Sequence, residues 1–215
     1  SDIIVEAPLG SRTKLTLPDG TLVWLNAGSR ITYSQGFGVG NRKIELIGEG
    51  YFEVKRNEEV PFLVKTNSLL VKVLGTKFNF RDYPDDAEAI VSLSEGKVAL
   101  NNLLKKEKEA FLLPNERVVL NKKNGRMHVE YSTVSNALQW TNGYLFFDEE
   151  LLPDVVKELE RSYNVKIQIA SDTLNTFRFY GNFVHREQNI QEVLEALSAT
   201  RKIHYIIEGH NITLY

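Results

Sequence analysis

The spacing of apolar residues changes near residue 140, and this change limits the folds open to the chain. Up to about residue 135, short runs of β-branched, leucine and aromatic residues are separated by Gly, Pro, Asn and Asp at roughly 8 to 12 residue intervals. After about residue 142, apolar residues recur at helical spacing between strand-like runs. The sequence therefore predicts a mainly β chain with an added α+β part: an all-β domain at 1–135 and a small domain at 140–215.

Turn signals indicate how strands follow one another in the first domain. Pro18-Asp19-Gly20 predicts a hairpin, because Pro fixes φ and Gly tolerates positive φ. Asn124-Gly125 predicts a second hairpin, and Gly48-Glu49-Gly50 and Ser94-Glu95-Gly96 predict two further turns. No helical stripe interrupts these strands. They fit a sandwich or a short solenoid, and periodicity does not distinguish the two.

The second domain reads as a duplicated strand-helix-strand unit. Apolar and glycine positions match at an offset of 38, including Gly143 with Gly181, Leu152 with Ile190 and Leu159 with Leu197. Pro153 lacks an N–H and belongs in a first helical turn, so the first helix should begin near Glu150. Because neither half is large enough to be stable alone, we expect the two halves to share one core, after a linker around residues 132–139.

Composition excludes several classes of protein. A net charge of −2, from 26 basic and 28 acidic residues, disfavours a nucleic-acid partner. The absence of cysteine excludes disulfides, thiolate zinc sites and a cysteine nucleophile. No apolar run approaches the roughly 20 residues that a bilayer crossing requires. Since the sequence does not start with Met, we expect it to be a fragment.

Patterns that carry chemistry are absent from the sequence. The acidic pair Asp85-Asp86 follows a Tyr-Pro turn, and residues 148–150 lie at a predicted helix N-terminus, where acids are favoured electrostatically. The glycine-rich run 36–40 lacks the Lys and following helix of a phosphate loop. The histidines lack metal-ligand spacing: His128, His185, His204 and His210. We therefore expect no catalytic residue, no cofactor and no metal, and a protein that is not an enzyme.

Two other functional classes make distinct predictions. A carbohydrate-binding β module without catalysis would expose Trp24 or Tyr33 on a sheet face. A hydrolase would bring a Ser or a carboxylate next to His128 or His185.

Strand edges in the small domain are the one positive indication of a binding surface. The last strand, residues 211–215, contains neither Lys nor Pro, which usually protect an open edge. It is either the second strand of a terminal hairpin, packed on its neighbour, or a docking edge. On the second reading, partner contacts are predicted at the last strand and at the strand beginning at Phe177. These contacts are Phe177, Phe179, Tyr180, Ile212, Leu214 and Tyr215.

Five segments of the first domain resemble a known family in order and spacing. They are LPDGTLVWLNAGSRITY at 17–33, LIGEGYFEV at 46–54, PFLV at 61–64, VLGTKFN at 73–79 and VSLSEGKV at 91–98. They closely resemble the extracytoplasmic region of FecR-like anti-sigma regulators. In the Bacteroidetes-type members a domain resembling the secretin/TonB short N-terminal domain follows, as residues 140–215 do here.

The resemblance implies a signalling role for this chain. It implies the periplasmic part of a single-span inner-membrane protein, which contacts the signalling domain of a TonB-dependent outer-membrane transporter. A cytoplasmic segment would bind an extracytoplasmic-function sigma factor, and a membrane helix would anchor the protein. Both are absent from this sequence. The family offers no catalytic residues to carry over.

Overall fold

The computed structural model describes residues 1–215, which divide into two compact units. The β unit comprises Ser1–Pro8 and Arg12–Leu138, and the α+β unit comprises Leu9–Ser11 and Gln139–Tyr215. The break was predicted at residues 135–140. The grouping of Leu9–Ser11 with the second unit was not predicted. No helix in either unit has both the length and the apolarity needed to cross a membrane.

The β unit is built almost entirely from strands, which confirms the prediction of a mainly β chain. All thirteen strands belong to one hydrogen-bonded sheet, and a short helix, α1 (Val134–Ala137), follows them. The strands are β1 (Asp2–Ala7), β2 (Thr13–Thr16), β3 (Leu22–Leu25), β4 (Ser29–Ser34), β5 (Arg42–Glu53), β6 (Phe62–Lys65), β7 (Leu69–Val73), β8 (Lys77–Asp82), β9 (Glu88–Glu95), β10 (Val98–Asn102), β11 (Ala110–Leu112), β12 (Glu116–Asn121) and β13 (Met127–Tyr131).

The long strand β5 connects two groups of strands within this sheet. Its first half pairs with β4 and β6, and its second half pairs with β3 and β8. The predicted turn at Gly48-Glu49-Gly50 is therefore wrong, because the chain continues through it as one strand. Gly48, at φ +99°, lies where the strand changes partners, so the glycine signal marks a bend rather than a reversal.

Aromatic side chains fill the centre of the β unit. The rings of Phe52 and Phe78 stack at 5.1 Å between centroids, and Phe62 lies edge-on to Phe37 at 5.9 Å. All four side chains are fully buried. Burying an aromatic ring removes a large apolar area from water, so this cluster is a main source of the unit's stability.

A buried carboxylate ties three parts of the sheet together. Glu49 accepts hydrogen bonds from the Asn26 and Asn79 side-chain amides, both at 2.9 Å, and its backbone N–H donates to Ser29 Oγ at 2.8 Å. The guanidinium of Arg81 lies 3.7 Å from the same carboxylate. A buried charge is tolerated only when it is paired and hydrogen-bonded, and here the partners come from separate strands and a turn.

A second buried ion pair holds a loop that has no regular structure. Arg42 on β5 is buried and contacts Asp19 at 3.1 Å. The same guanidinium donates to the carbonyls of Val60, Lys55 and Asn57, at 2.7, 2.6 and 3.1 Å. Because Arg has five N–H donors in a rigid plane, one side chain satisfies several carbonyls of the segment between β5 and β6.

The α+β unit contains the order strand, helix, strand twice. The first half has β14 (Tyr144–Leu151), α2 (Leu152–Tyr163) and β15 (Lys166–Ile169); the second has β16 (Arg178–Val184), α3 (Ile190–Ser198), β17 (Tyr205–Glu208) and β18 (Asn211–Leu214). Short 3₁₀ turns lie at Gln139–Asn142 and Asp172–Thr176. The two longer helices begin 38 residues apart, which is the predicted offset.

Local signals set the helix ends in this unit. Pro153 lies in the first turn of α2, as predicted, and α2 begins at Leu152, two residues after Glu150, because β14 continues to Leu151. Asn164, at φ 51°, ends α2 in the left-handed conformation. Asn189 and Glu192 form a reciprocal capping box at the start of α3.

Two small sheets and two helices enclose the core of the α+β unit. β14 pairs antiparallel with β16, while β18 pairs parallel with β15 and antiparallel with β17. The core comprises inward residues of the strands and the apolar stripes of α2 and α3: Leu145, Phe147, Leu152, Val155, Val156, Leu159, Ile167, Leu174, Phe179, Phe183, Val193, Leu194, Leu197, Ile203, Ile212 and Leu214.

Replacing Gly48 by Ala should destabilise the β unit by more than about 2 kcal/mol, because the residue has positive φ and a Cβ would lie 2.3 Å from Ser29 Oγ. Gly40→Ala is the matched control, since nothing lies within 4 Å of a Cβ there. Urea unfolding of both variants measures the difference. Equal unfolding midpoints for the two variants would contradict this role of Gly48.

Tyr51 should make stability depend on pH in alkaline solution. Burial, followed by the negative charges of Glu53 and Glu95, raises the pKa of Tyr51 from 10.0 to about 12. Because the folded pKa is raised, the neutral phenol contributes stability below pH 10, and this is lost as pH rises towards 12. We expect a loss of about 2 kcal/mol relative to Tyr51→Phe in the same buffers. The prediction fails if the unmodified chain and Tyr51→Phe differ in free energy of unfolding by the same amount below pH 10 and near pH 12.

Candidate functional site

The last strand lies in the middle of its sheet rather than at an edge. β18 pairs with β15 on one side and with β17 on the other. The predicted open edge along residues 211–215 is therefore wrong. The alternative, the second strand of a terminal hairpin, describes its pairing with β17, and the parallel pairing with β15 was not predicted. Ile212 and Leu214 are buried in the core. Their sequence alternation reflects packing, and neither side chain is accessible to a partner.

The other predicted contact residues divide between core and surface. Phe179 is a core residue, and Phe177 is half-buried against the same core. Tyr180 is 61% exposed, and Tyr215 is also exposed, with its ring 5.5 Å from that of His204. Of the six residues, only the two tyrosines present a surface that another protein could contact.

Tyr180 belongs to an aromatic face on the sheet formed by β14 and β16. We define the aromatic face as Tyr144, Phe146 and Tyr180. Side chains alternate along each strand, so Leu145 and Phe147 point into the core while these three point outward. The rings of Phe146 and Tyr180 meet edge to face at 6.0 Å. Sequence reasoning identified Tyr180 but not its two neighbours across the strand pair.

The open edge of the second sheet belongs to β17. His204 and Tyr215 exchange both backbone hydrogen bonds, at 2.8 and 3.0 Å. In an antiparallel ladder such pairs alternate with non-bonded pairs, so Tyr205 and Ile207 direct their N–H and C=O groups away from β18. Ile206 and Ile207 are 46% and 38% exposed, and the strand contains no Lys or Pro. This edge therefore has unpaired donors and acceptors beside apolar side chains.

The opposite edge of the same sheet, along β15, is partly blocked. The backbone N–H of Ile167 donates to Glu160 Oε2 of α2 at 3.1 Å. The exposed Lys166 lies on this strand, and lysines on edge strands disfavour pairing with another chain. The contrast singles out β17 as the edge of this sheet that is available for strand addition.

Trp24 and Tyr33 do not form an exposed sugar-binding platform. Trp24 is half-buried, with Lys14 Nζ 4.6 Å from its ring centroid and the Tyr51 ring at 5.3 Å. Tyr33 is half-buried and packs edge-on against Phe37 at 5.4 Å. Both rings are thus partly covered by other side chains rather than exposed on a sheet face.

The two histidines singled out for a hydrolase have other contacts. His128 Nε2 lies 3.3 Å from Glu130 Oε2 on the exposed strand β13. The ring of His185 packs on Tyr163 at 4.8 Å, and its Nε2 meets the carbonyl of Ser162. No three His, Asp or Glu side chains are grouped so that they could hold a metal ion.

Comparisons with known proteins identify similar sequences over most of the chain. A family model described as FecR protein matches residues 4–99, and one described as FecR, C-terminal matches residues 144–214. No curated protein matches the chain.

Solved structures of a candidate anti-sigma factor from Parabacteroides distasonis are similar over their whole length. The structure at 1.65 Å is 33% identical with a TM-score of 0.89, covering 99% of this chain and 98% of that one. A second structure at 2.50 Å gives the same identity and TM-score, covering 100% and 99%.

Adjacent residues of β16 should respond oppositely to truncation. Phe179→Ala removes a buried ring and should cost about 3 kcal/mol, whereas Tyr180→Ala should cost under about 1 kcal/mol. Hydrogen exchange on peptides from α2 and α3 measures the stability of this unit alone. Comparable loss of protection in both variants would show that Tyr180 supports the core and is not a free surface residue.

Proposed function

Because the chain belongs to the FecR family of anti-sigma factors, we propose that it is the sensor portion of such a regulator. In this proposal it receives a signal from a TonB-dependent outer-membrane transporter and relays it to an extracytoplasmic-function sigma factor through protein–protein contacts. In this proposal the chain lies in the periplasm and is part of a protein that a helix upstream of residue 1 anchors in the inner membrane. The sigma factor is bound by a cytoplasmic segment that also precedes residue 1.

The observation that carries this proposal is the serial match of the two FecR models to the two units. Apart from Leu9–Ser11, the first model lies within the β unit, and the second covers nearly all of the α+β unit. Similarity to the Parabacteroides candidate anti-sigma factor over 99% of the chain supports the same assignment. A regulatory role requires surfaces for other proteins, and it requires no catalytic group.

Within this proposal, the α+β unit binds the signalling domain of the transporter by strand addition at β17. The outward N–H and C=O groups of Tyr205 and Ile207 supply the hydrogen bonds, and the exposed isoleucine side chains supply apolar contact. The aromatic face is a second surface available on the same unit. The β unit then passes the change caused by this binding towards the membrane. Its strands are held together by the hydrogen bonds of Glu49 and Arg42.

Ile207→Pro tests strand addition directly. Proline removes an N–H that points away from β18, so the intramolecular ladder keeps its hydrogen bonds while an added strand loses a donor. We expect affinity for the transporter's signalling domain to fall at least tenfold, with circular dichroism unchanged. Isothermal titration calorimetry would measure this with the periplasmic signalling domain of each TonB-dependent transporter of the source organism.

Ile207→Thr is the matched control, since it keeps the N–H and the β-branched shape. If Ile207→Thr binds almost normally and Ile207→Pro loses affinity, the backbone N–H of residue 207 makes the contact. Equal affinity of Ile207→Pro and the unmodified chain would reject docking at β17, and Tyr180→Ala would then test the aromatic face. Failure of the unmodified chain to bind any such signalling domain would reject the relay from the transporter.

A further inference from the structure

Two loops of the β unit lie against each other. Residues 103–109 connect β10 to β11, and residues 122–126 connect β12 to β13. Asn102 Nδ2 donates to the Gly125 carbonyl at 2.8 Å. A Cβ built on Gly125 would lie 3.4 Å from Lys105 Cβ and 3.7 Å from Leu104 Cβ. We call these two segments together the basic loop pair.

Apolar side chains stand exposed on the first of these loops. Leu103 and Leu104 are 42% and 44% exposed, although leucine is usually buried when a core is within reach. The leucines are followed directly by Lys105 and Lys106, both exposed. The loop thus combines adjacent apolar and cationic side chains within four residues.

The basic loop pair carries an excess of positive charge within a nearly neutral protein. Its exposed cations are Lys105, Lys106, Lys108, Lys123 and Arg126. Two carboxylates on the same loops, Glu107 and Glu109, accept hydrogen bonds from Asn102 and Asn101. Lys122 is not counted among the cations, because its ammonium group binds Asp82 at 2.6 Å. Five cations against two carboxylates leave a local excess of three, or two if the neighbouring exposed Glu88 is included.

We propose that the basic loop pair docks on the surface of a bilayer that contains anionic phospholipids. The leucines enter the boundary between headgroups and acyl chains, while the lysines extend their ammonium groups to the lipid phosphates. Charge complementarity with an anionic headgroup layer selects this occupant, because exposed leucines and exposed lysines are adjacent on the same loop. The inference uses only the β unit and stands whether or not the relay from a transporter does.

Co-sedimentation with vesicles tests this docking. Vesicles of phosphatidylcholine with phosphatidylglycerol are compared with vesicles of phosphatidylcholine alone. Two to three excess cations near an anionic surface should give a preference on the order of a hundredfold for the anionic vesicles. The preference should fall steeply as salt is raised, since the charges are solvent-exposed.

Two double variants separate the charge from the apolar contribution. Lys105→Glu with Lys106→Glu should abolish the preference for anionic vesicles. Leu103→Ser with Leu104→Ser should weaken binding about tenfold and leave the salt dependence intact. Lys43→Glu with Lys65→Glu is the control, because it makes the same charge change at exposed positions on β5 and β6.

The proposal would be overturned by equal binding to the two vesicle types, by unchanged binding of the Lys105 and Lys106 variant, or by the same loss of binding in the β5–β6 control. Absence of vesicle binding by the folded, unmodified chain would also overturn it, and an acidic protein would then become the occupant to test. Thermal melting of each variant shows whether it is folded.

Discussion

The buried carboxylate of Glu49 is the contact on which the arrangement of the β unit depends. It lies in the middle of β5, the strand shared by both groups of strands, and its oxygens bind amides of Asn26 and Asn79. A carboxylate removed from water is stable only while these partners stay in place, so the position of each strand constrains the others. Arg42, on the same strand, extends this constraint to the segment before β6.

These polar clusters explain why the recognisable motifs of the first domain are clustered around β5. The Gly-Glu-Gly segment places a charged residue at a bend where only a residue without Cβ fits against Ser29. That charge is bound by Asn26, in the segment at 17–33, and by Asn79, in the segment at 73–79. Residues far apart in sequence are therefore linked by one requirement, which is to satisfy a buried carboxylate.

Features encoded locally could be predicted from the sequence, and those that depend on distant pairing could not. The Asn124-Gly125 hairpin, the Pro153 helix start to within two residues and the 38-residue spacing of the helices follow from local propensity. The bend at Gly48 was read as a reversal, because a glycine signal alone does not distinguish the two. The edge of the second sheet was misplaced, because β18 is covered by a parallel partner, β15, more than forty residues earlier.

The central position of β18 also determines how the α+β unit can form. β15 and β17 do not pair with each other, so their sheet exists only after the last strand along the sequence inserts between them. The parallel contact with β15 closes a long loop that contains β16 and α3, which costs chain entropy before any pairing compensates it. The three-stranded sheet that presents the β17 edge therefore cannot be complete until residues 211–214 are in place between its two outer strands.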